Sequence, residues 1–517
     1  MTTIKPTRPA PPPGRAAFAH VVHAEFTKFR TVRGWLITLC ATAAVLVLLS
    51  CLSAWASRQP SPRVPTSPGG EAVASTYTFV QRPLTGNGTL TARVTSLSGR
   101  YIPFSGSQGN AFSASARSQT GSRLQPGLAP WAKAGIILEP DTRQGTDYAA
   151  VMVTGSHGVR MQFNYTHDSP GLPGSAGPSS PRWLRLTRAG DVITGYDSAD
   201  GGHWTVIGAA RLAGLPRTVR IGLFVTSPVY FTAGATVGTP SVATARFDQV
   251  SAHGDLPGRS WNGGAITGSG YYPLPSAPTW QQPSAGTFTI TGSGDIAPLV
   301  GDIISAAWSG ASIVNGTIVA LLIVIVLATL FVTSEYRRGL IRATFAASPR
   351  RGHVLAAKAL VAGSLAFAAG AIATALAEVI TRHVLAANGN YLFPQSGPDL
   401  ARVIIGTGLL LGLAAALSVA VGMMLRRSTA AVAAGIVLLI VPGVVGSQSG
   451  NWLMRFTPTA AFAIQATLPR SSLVTSAYTP PNGYFPIGPW AGLAVLAAYT
   501  AVALGAATWV LRRRDVR

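Results

Sequence analysis

The chain has 517 residues, of which 48% are hydrophobic and only 11% charged, with a formal net charge of +23. Soluble domains carry about 25% charged residues, so an ordinary, wholly soluble protein is excluded and a membrane protein with a soluble part attached fits. The basic residues are dispersed and many flank apolar runs, which argues against a nucleic-acid partner as the reason for the charge.

Only Lys5, Lys28, Lys133 and Lys358 are lysines, so Arg dominates the basic set, as a high-GC bacterial genome would give. The cysteines, Cys40 and Cys51, fall in one apolar run. On a helix they would lie roughly 16 Å apart, too far for a disulfide, and they read as small packing residues.

Residues 1–15 are Pro-rich and basic and read as a disordered tail. Residues 16–33 follow as an amphipathic helix. Phe18, Val22, Phe26 and Phe29 recur at helical spacing, with Glu25, Lys28, Arg30 and Arg33 mostly off that face. Such a helix suits the headgroup plane of a bilayer. Residues 34–56 carry no charge and form the first expected span, with Trp35 and Trp55 at its ends.

Residues 57–300 differ in kind. Pro, Gly, Ser and Thr rise, no run is long enough to span, and short alternating segments are separated by turn residues. Examples are Tyr148-Ala149-Ala150-Val151-Met152-Val153 and Val219-Arg220-Ile221-Gly222-Leu223-Phe224-Val225. Many short strands at this spacing predict an all-β sandwich over 75–255, with a linker and edge strand over 256–300. Its size allows a core without disulfides.

Further expected spans cover 312–333, 359–381, 403–425, 429–446 and 489–511, giving six in all. The loop 334–358 carries Arg337, Arg338, Arg342, Arg350, Arg351 and Lys358 against one acid, Glu335. Arg426-Arg427 joins spans four and five, and Arg512-Arg513-Arg514 follows span six. These clusters all fall on one side, so the positive-inside rule puts both termini in the cytoplasm and 57–300 outside. The segment 447–488 reads either as a surface loop with a helix or as a short helix dipping into the outer leaflet, the latter only where protein buries it.

No G-x-x-x-x-G-K-[ST] occurs, and no lysine follows a glycine, so the chain has no phosphate-cradling loop. Metal-ligand spacings are absent too, and neither a cofactor nor a catalytic group is expected. Within the spans only Glu378 is ionisable, and Arg382 four residues on reads as its helix partner. So little charge in the spans points to energy supplied from outside the chain. In the sandwich, Trp183, Tyr196 and Trp204 are candidate stacking platforms for a glycan, although such aromatics are more often core.

Two resemblances follow. Residues 75–255 resemble the concanavalin A-like, laminin G-like jelly rolls through Gly88-Thr89-Leu90-Thr91-Ala92-Arg93-Val94, Trp131-Ala132-Lys133-Ala134-Gly135-Ile136 and Gly222-Leu223-Phe224-Val225-Thr226-Ser227. That likeness implies a fold and no function. Residues 16–56 and 300–517 resemble the permease subunits of ABC-2 type exporters. The likeness rests on Ala24-Glu25-Phe26-Thr27-Lys28-Phe29-Arg30-Thr31-Val32-Arg33, and on Thr333-Ser334-Glu335-Tyr336-Arg337-Arg338-Gly339 through Phe345-Ala346-Ala347-Ser348-Pro349-Arg350-Arg351.

The second resemblance implies an interfacial elbow helix (Glu25, Phe26, Lys28, Phe29, Arg30). It also implies a coupling loop (Glu335, Tyr336, Arg337, Arg338, Arg342, Phe345, Pro349) that docks on a separate P-loop ATPase. The spans would pair as a homodimer or heterodimer in the bacterial plasma membrane, and the segment between spans five and six would be re-entrant. The fold expected is thus a multi-domain membrane protein: six transmembrane helices, with an all-β jelly-roll sandwich inserted between helices 1 and 2. The competing reading is a membrane-anchored glycan-binding or sensing protein. Six spans count against it, since one would anchor.

Overall fold

The computed structural model describes residues 15–57, 64–103, 124–232, 238–258, 260–266, 279–300, 307–347, 350–448, 453–468, 470–475 and 483–513. The tail expected over 1–15 lies outside them apart from Arg15, as do Pro349 and parts of the linker and of the 447–488 segment. The chain forms two units, a helical one from its two ends and a sheet unit from its middle.

The helical unit comprises α1 (Arg15–Thr31), α2 (Arg33–Ala56), α3 (Gly310–Ile313), α4 (Thr317–Arg337), α5 (Leu340–Ala347), α6 (Arg351–Ala387), α7 (Gly397–Leu425), α8 (Ser428–Leu439), α9 (Val441–Gln448) and α10 (Pro489–Arg513). Among the described residues, six helical stretches are long and apolar enough to cross a membrane, α8 and α9 counting as one. The break between those two falls at Ile440, two residues before Pro442. Proline there removes a backbone donor and its ring crowds the carbonyl four residues back.

Helices α6 and α7 approach closely because glycine lines the contact. A Cβ on Gly412 would lie 2.8 Å from the Gly363 carbonyl oxygen, and one on Gly408 would lie 2.9 Å from that of Phe367. Gly408 and Gly412 stand four apart on one helical face, the spacing that lets helix backbones approach closely.

Between α9 and α10 lie two short 3₁₀ helices, Leu453–Phe456 and Pro458–Gln465. The second is buried along most of its length. Gln465 Nε2 donates to Thr317 Oγ1 at 3.0 Å and to Thr407 Oγ1 at 3.1 Å. Tyr499, ten residues after the start of α10, donates to the Phe456 carbonyl at 2.9 Å. At about 1.5 Å per residue, that contact lies about 15 Å along α10.

The sheet unit has β1 (Val73–Ser75), β2 (Tyr77–Tyr101), β3 (Gln125–Pro126), β4 (Lys133–Glu139), β5 (Ala149–Thr154), β6 (Val159–Phe163), β7 (His167–Pro170), β8 (Arg182–Ala189), β9 (Val192–Ser198), β10 (Thr205–Arg211), β11 (Thr218–Thr226), β12 (Ser241–Asp255), β13 (Asn262–Ile266), β14 (Thr279–Ser284), β15 (Thr287–Gly292) and β16 (Ile296–Pro298). It is a two-layered antiparallel sandwich made from one continuous sheet.

The first half of β2 pairs with β13 and β11, and β4, β5, β6 and β7 follow in order beyond β11. Its second half pairs with β12 and β8, and β9 and β10 lie beyond β8. The strand changes layer near Gly86 and Gly88. Gly86 has φ +69°, and a Cβ on Gly88 would sit 2.7 Å from the His253 carbonyl oxygen. Only glycine fits such a corner without strain. Val80, Leu90, Ile136, Val151, Leu184, Leu223 and Phe247 belong to the core between the layers.

One feature departs from the alternation read from the sequence. All seven residues of β4 and all six of β5 are buried. A strand in a two-layer sandwich should bury every second residue. Here the outward face of the first layer carries a second apolar cluster containing Val73, Tyr77, Phe79, Tyr148, Tyr165, Phe224 and Ile296. The small β1–β16 ribbon supplies part of that cover.

Two ionisable residues of β4 are thereby enclosed. Lys133 bonds Asp295 Oδ1 at 2.9 Å. Glu139 accepts from the Tyr77 hydroxyl. Burial pushes the Glu139 carboxyl from its ordinary 4.5 up to about 8. The folded form therefore holds a proton that the unfolded chain releases above about 4.5. Its contribution to stability falls as pH rises through that window and levels off above about 8, by on the order of a few kcal/mol. Hydrogen exchange at the β4 amides should accelerate as pH is raised from about 5 to about 8, after correction for intrinsic rates. Glu139→Gln should flatten that dependence, and an unchanged slope in the variant would assign it to another group.

Candidate functional site

The helical unit holds a buried four-charge cluster where α1, α4 and α6 meet. Its residues come from sequence positions 25, 28, 335 and 358. Helix α1 turns Val21, Val22, Glu25 and Phe29 inward, a stripe with helical spacing. Glu25 and Phe29 are each 1% exposed, whereas Phe26 is 40% exposed. The stripe expected from the phenylalanines is thus rotated: Glu25 lies on the buried face, Lys28 is half-buried beside it, and Phe26 and Arg30 point outward.

Lys358 is the hub. Its side chain is 0% exposed, and its ammonium bonds Glu25 Oε2 at 2.6 Å and Glu335 Oε1 at 2.7 Å. Lys28 Nζ closes the square, 2.9 Å from Glu25 Oε1 and 3.3 Å from Glu335 Oε1, and it also donates to Thr344 Oγ1 of α5 at 3.4 Å. Two cations and two anions leave the cluster neutral, which makes such burial tolerable. Phe331 lies beneath Lys358 at 4.8 Å and packs edge-on against Phe29 and Trp35. These aromatic neighbours help keep the cluster dry, and a dry site strengthens each charge–charge contact.

The cluster ties α5 to three helices. Gly339, at φ +71°, lets the chain turn sharply from α4 into α5. Helix α5 then buries Ile341 and Phe345 (3% and 9% exposed) and presents Leu340 at 52% exposure. Arg342 on α5, and Arg337 and Arg338 just before it, are exposed. The result is a short amphipathic helix with a basic, partly apolar outer surface.

The expected coupling residues therefore separate into two groups. Arg337, Arg338 and Arg342 are exposed. Glu335, expected at such a contact, is instead buried in the cluster. Tyr336 is half-buried, with its hydroxyl 3.3 Å from Met423 Sδ and Arg426 over its ring at 5.6 Å. Phe345 packs inward, with Arg351 over its ring at 5.6 Å. Lys358 is the residue that sequence reasoning missed. The sequence places it in a loop ending just before the third expected span, whereas α6 begins at Arg351 and carries it well inside. The available signal was its setting: one lysine in the run Val354-Leu355-Ala356-Ala357-Lys358-Ala359-Leu360-Val361.

Glu378 is also buried and bonds Arg382 Nε at 2.9 Å, the helix pair its spacing suggested. In the sandwich, Trp183, Tyr196 and Trp204 are half-buried on the outward face of the second layer. Trp183 and Trp204 meet edge to face at 6.5 Å. Their rings are already engaged: Arg185 lies 3.7 Å over Trp204 and Arg93 lies 5.5 Å over Trp183. No group of metal-ligating side chains occurs among the described residues.

No protein-family model matches the chain, and no curated protein matches it. Solved structures give distant likenesses. A functionally unknown protein from Saccharomyces cerevisiae is 14% identical over 38% of this chain and 85% of its own, with a TM-score of 0.22. Scytalido-glutamic peptidase bound to a transition-state analog inhibitor is 9% identical over 44% of this chain and 100% of its own, at 0.27. A GH43 protein from Bacillus licheniformis is 14% identical over 33% and 28%, at 0.19. None is close enough to bear on what this chain does.

Removing the hub leaves two buried carboxylates facing one half-exposed lysine. Lys358→Met should destabilise the helical unit by ~3–5 kcal/mol, read as a lowered Tm in detergent. Arg30→Met, on the outward side of α1, should change stability by less than about 0.5 kcal/mol. Equal effects would show that the cluster does not hold these helices together.

Proposed function

We propose that the chain is the membrane-embedded permease subunit of an ATP-driven exporter of the ABC-2 type, acting as a dimer with P-loop ATPase chains in trans. The six apolar stretches would span a bacterial plasma membrane with both termini in the cytoplasm, leaving residues 57–300 outside. In this reading α1 is the interfacial elbow helix. Its outward Phe26 would meet lipid, and its inward charges would fasten it to α4 and α6. The Pro458–Gln465 segment is the re-entrant element. The Tyr499–Phe456 bond, about 15 Å along α10, supports this depth in a hydrocarbon layer about 30 Å thick.

The observation that carries the reading is α5. It is a short helix with exposed Leu340 and Arg342 in its first turn and exposed Arg337 and Arg338 just before it, joined to α4 through Arg338 and Gly339. Lys28 connects it to the buried cluster through Thr344. A partner that pushes on α5 would move Lys28 and Glu335 together and so shift α1, α4 and α6 as one body. The chain has no nucleotide-binding loop of its own, so this surface is where work would enter.

The test is capture of the partner. Full-length protein extracted from its native membrane should bring down a P-loop ATPase, identified by mass spectrometry. The triple substitution Arg337→Glu, Arg338→Glu, Arg342→Glu should abolish capture while leaving the Tm unchanged, because all three side chains are exposed. If wild-type protein captures no P-loop ATPase, the reading fails. If the triple variant captures as much as wild type, the docking surface lies elsewhere.

A further inference from the structure

Helices α7 and α8 are joined by two residues, Arg426 and Arg427. Arg426 closes α7 in the left-handed region, at φ +58°. Glycine is the usual residue for such a helix end, because it adopts that backbone without strain. A side chain there is disfavoured, and a residue held in such a conformation calls for a use of its side chain. Cations are welcome at the negative end of a helix dipole. Arg427, exposed and on ordinary extended backbone, already supplies one.

The Arg426 guanidinium lies over the Tyr336 ring at 5.6 Å. Its Nε is buried and has no hydrogen-bond partner. Every acid among the described residues of the helical unit, Glu25, Glu335, Glu378 and Asp399, already bonds a lysine or arginine elsewhere. Arg351 differs, since its Nη1 donates to the Leu511 carbonyl at 2.9 Å. A guanidinium over an aromatic ring, with a donor left over and no acid to meet it, is set to receive an anion from outside the chain.

The neighbouring surface is apolar. Leu425, directly before Arg426, is 43% exposed. Helix α10 ends on a comparable pairing, with Arg513 4.3 Å over the ring of exposed Trp509. Aromatic and basic residues at the ends of apolar helices suit the zone where headgroups meet hydrocarbon.

We propose that Arg426 and Arg427 bind the phosphate of an anionic phospholipid, whose acyl chain lies against Leu425. The proposal rests on the reading of these helices as membrane spans and does not involve the ATPase partner. One edge of an arginine, Nε with Nη2, takes two oxygens of a phosphate in parallel, which gives the Arg426 Nε the acceptor it lacks. Basic sites between spanning helices at the cytoplasmic side suit anionic headgroups. A zwitterionic lipid would bring its own cation towards Arg427 and fits less well. Inorganic phosphate offers the same oxygens but nothing for Leu425.

The experiment uses the full chain in nanodiscs of mixed phosphatidylglycerol and phosphatidylcholine, with retained lipids counted by native mass spectrometry. Wild-type protein should retain phosphatidylglycerol in preference. Arg426→Gly, whose backbone suits the turn, should keep its Tm while binding phosphatidylglycerol about tenfold or more weakly. If the glycine variant loses its fold, Arg426→Asn, which tolerates the same backbone, carries the same expectation. A second arm separates the two sources of phosphate. Dioctanoyl phosphatidylglycerol added in detergent should raise the Tm of wild type and not of Arg426→Gly, whereas inorganic phosphate at the same concentration should leave both unchanged. The proposal is overturned if wild type shows no preference for phosphatidylglycerol, if a folded Arg426 variant retains as much of it, or if inorganic phosphate raises the Tm as much as the lipid does. No ATPase is present, so the outcome is read separately from partner capture. Failure of the spanning reading would show as protein that does not enter nanodiscs, and would overturn both.

Discussion

The junction of α1, α4 and α6 depends on Lys358 having two carboxylates to bond. A lone ammonium buried in so apolar a setting would be costly. With Glu25 and Glu335 at 2.6 and 2.7 Å, it becomes the point at which three helices are fastened. Buried ion pairs add little stability compared with apolar packing, but they resist being pulled apart, because separation strands a charge. They therefore suit a joint that holds its helices in one arrangement. The glycine-lined contact between α6 and α7 complements it, since close backbone approach there helps hold the helix carrying Lys358.

The two units solve the same problem with different elements. In the sandwich, Lys133 and Asp295 are enclosed much as Lys358 and Glu25 are in the helices. Each pair ties together segments far apart in sequence and is neutral overall. In each unit one carboxylate nearby keeps an oxygen without a partner, Glu335 in the helices and Glu139 in the sandwich.

Much of this architecture is legible in the sequence because its signals are local. Long uncharged runs mark the apolar helices, and period-two alternation separated by glycine-rich turns marks the strands. The expected pairing of Glu378 with Arg382 was readable because four residues is one helical turn. What stayed hidden is non-local. Nothing near Glu25 announces that its partner is residue 358, and the phenylalanines around it point to the wrong face. The full burial of β4 was equally unreadable, because the cover comes from residues 73–75 and 296–298. The fold was therefore more accessible than the site, whose charged residues are assembled from three helices.

The corner in β2 has a consequence for how the sandwich is made. This one strand belongs to both layers, and its second half pairs with β12 up to the register Thr85 with Asp255. Neither layer can be completed until the chain has grown well past residue 250, so the closing contacts bridge a large loop. Folds dominated by such distant pairings form slowly, and β2 meanwhile presents unpaired edges that invite aggregation. Neither cysteine lies in this unit to staple an intermediate. A nascent chain must therefore keep its longest strand from wrong partners until β12 arrives, which makes β2 the segment where a folding helper would have most to protect.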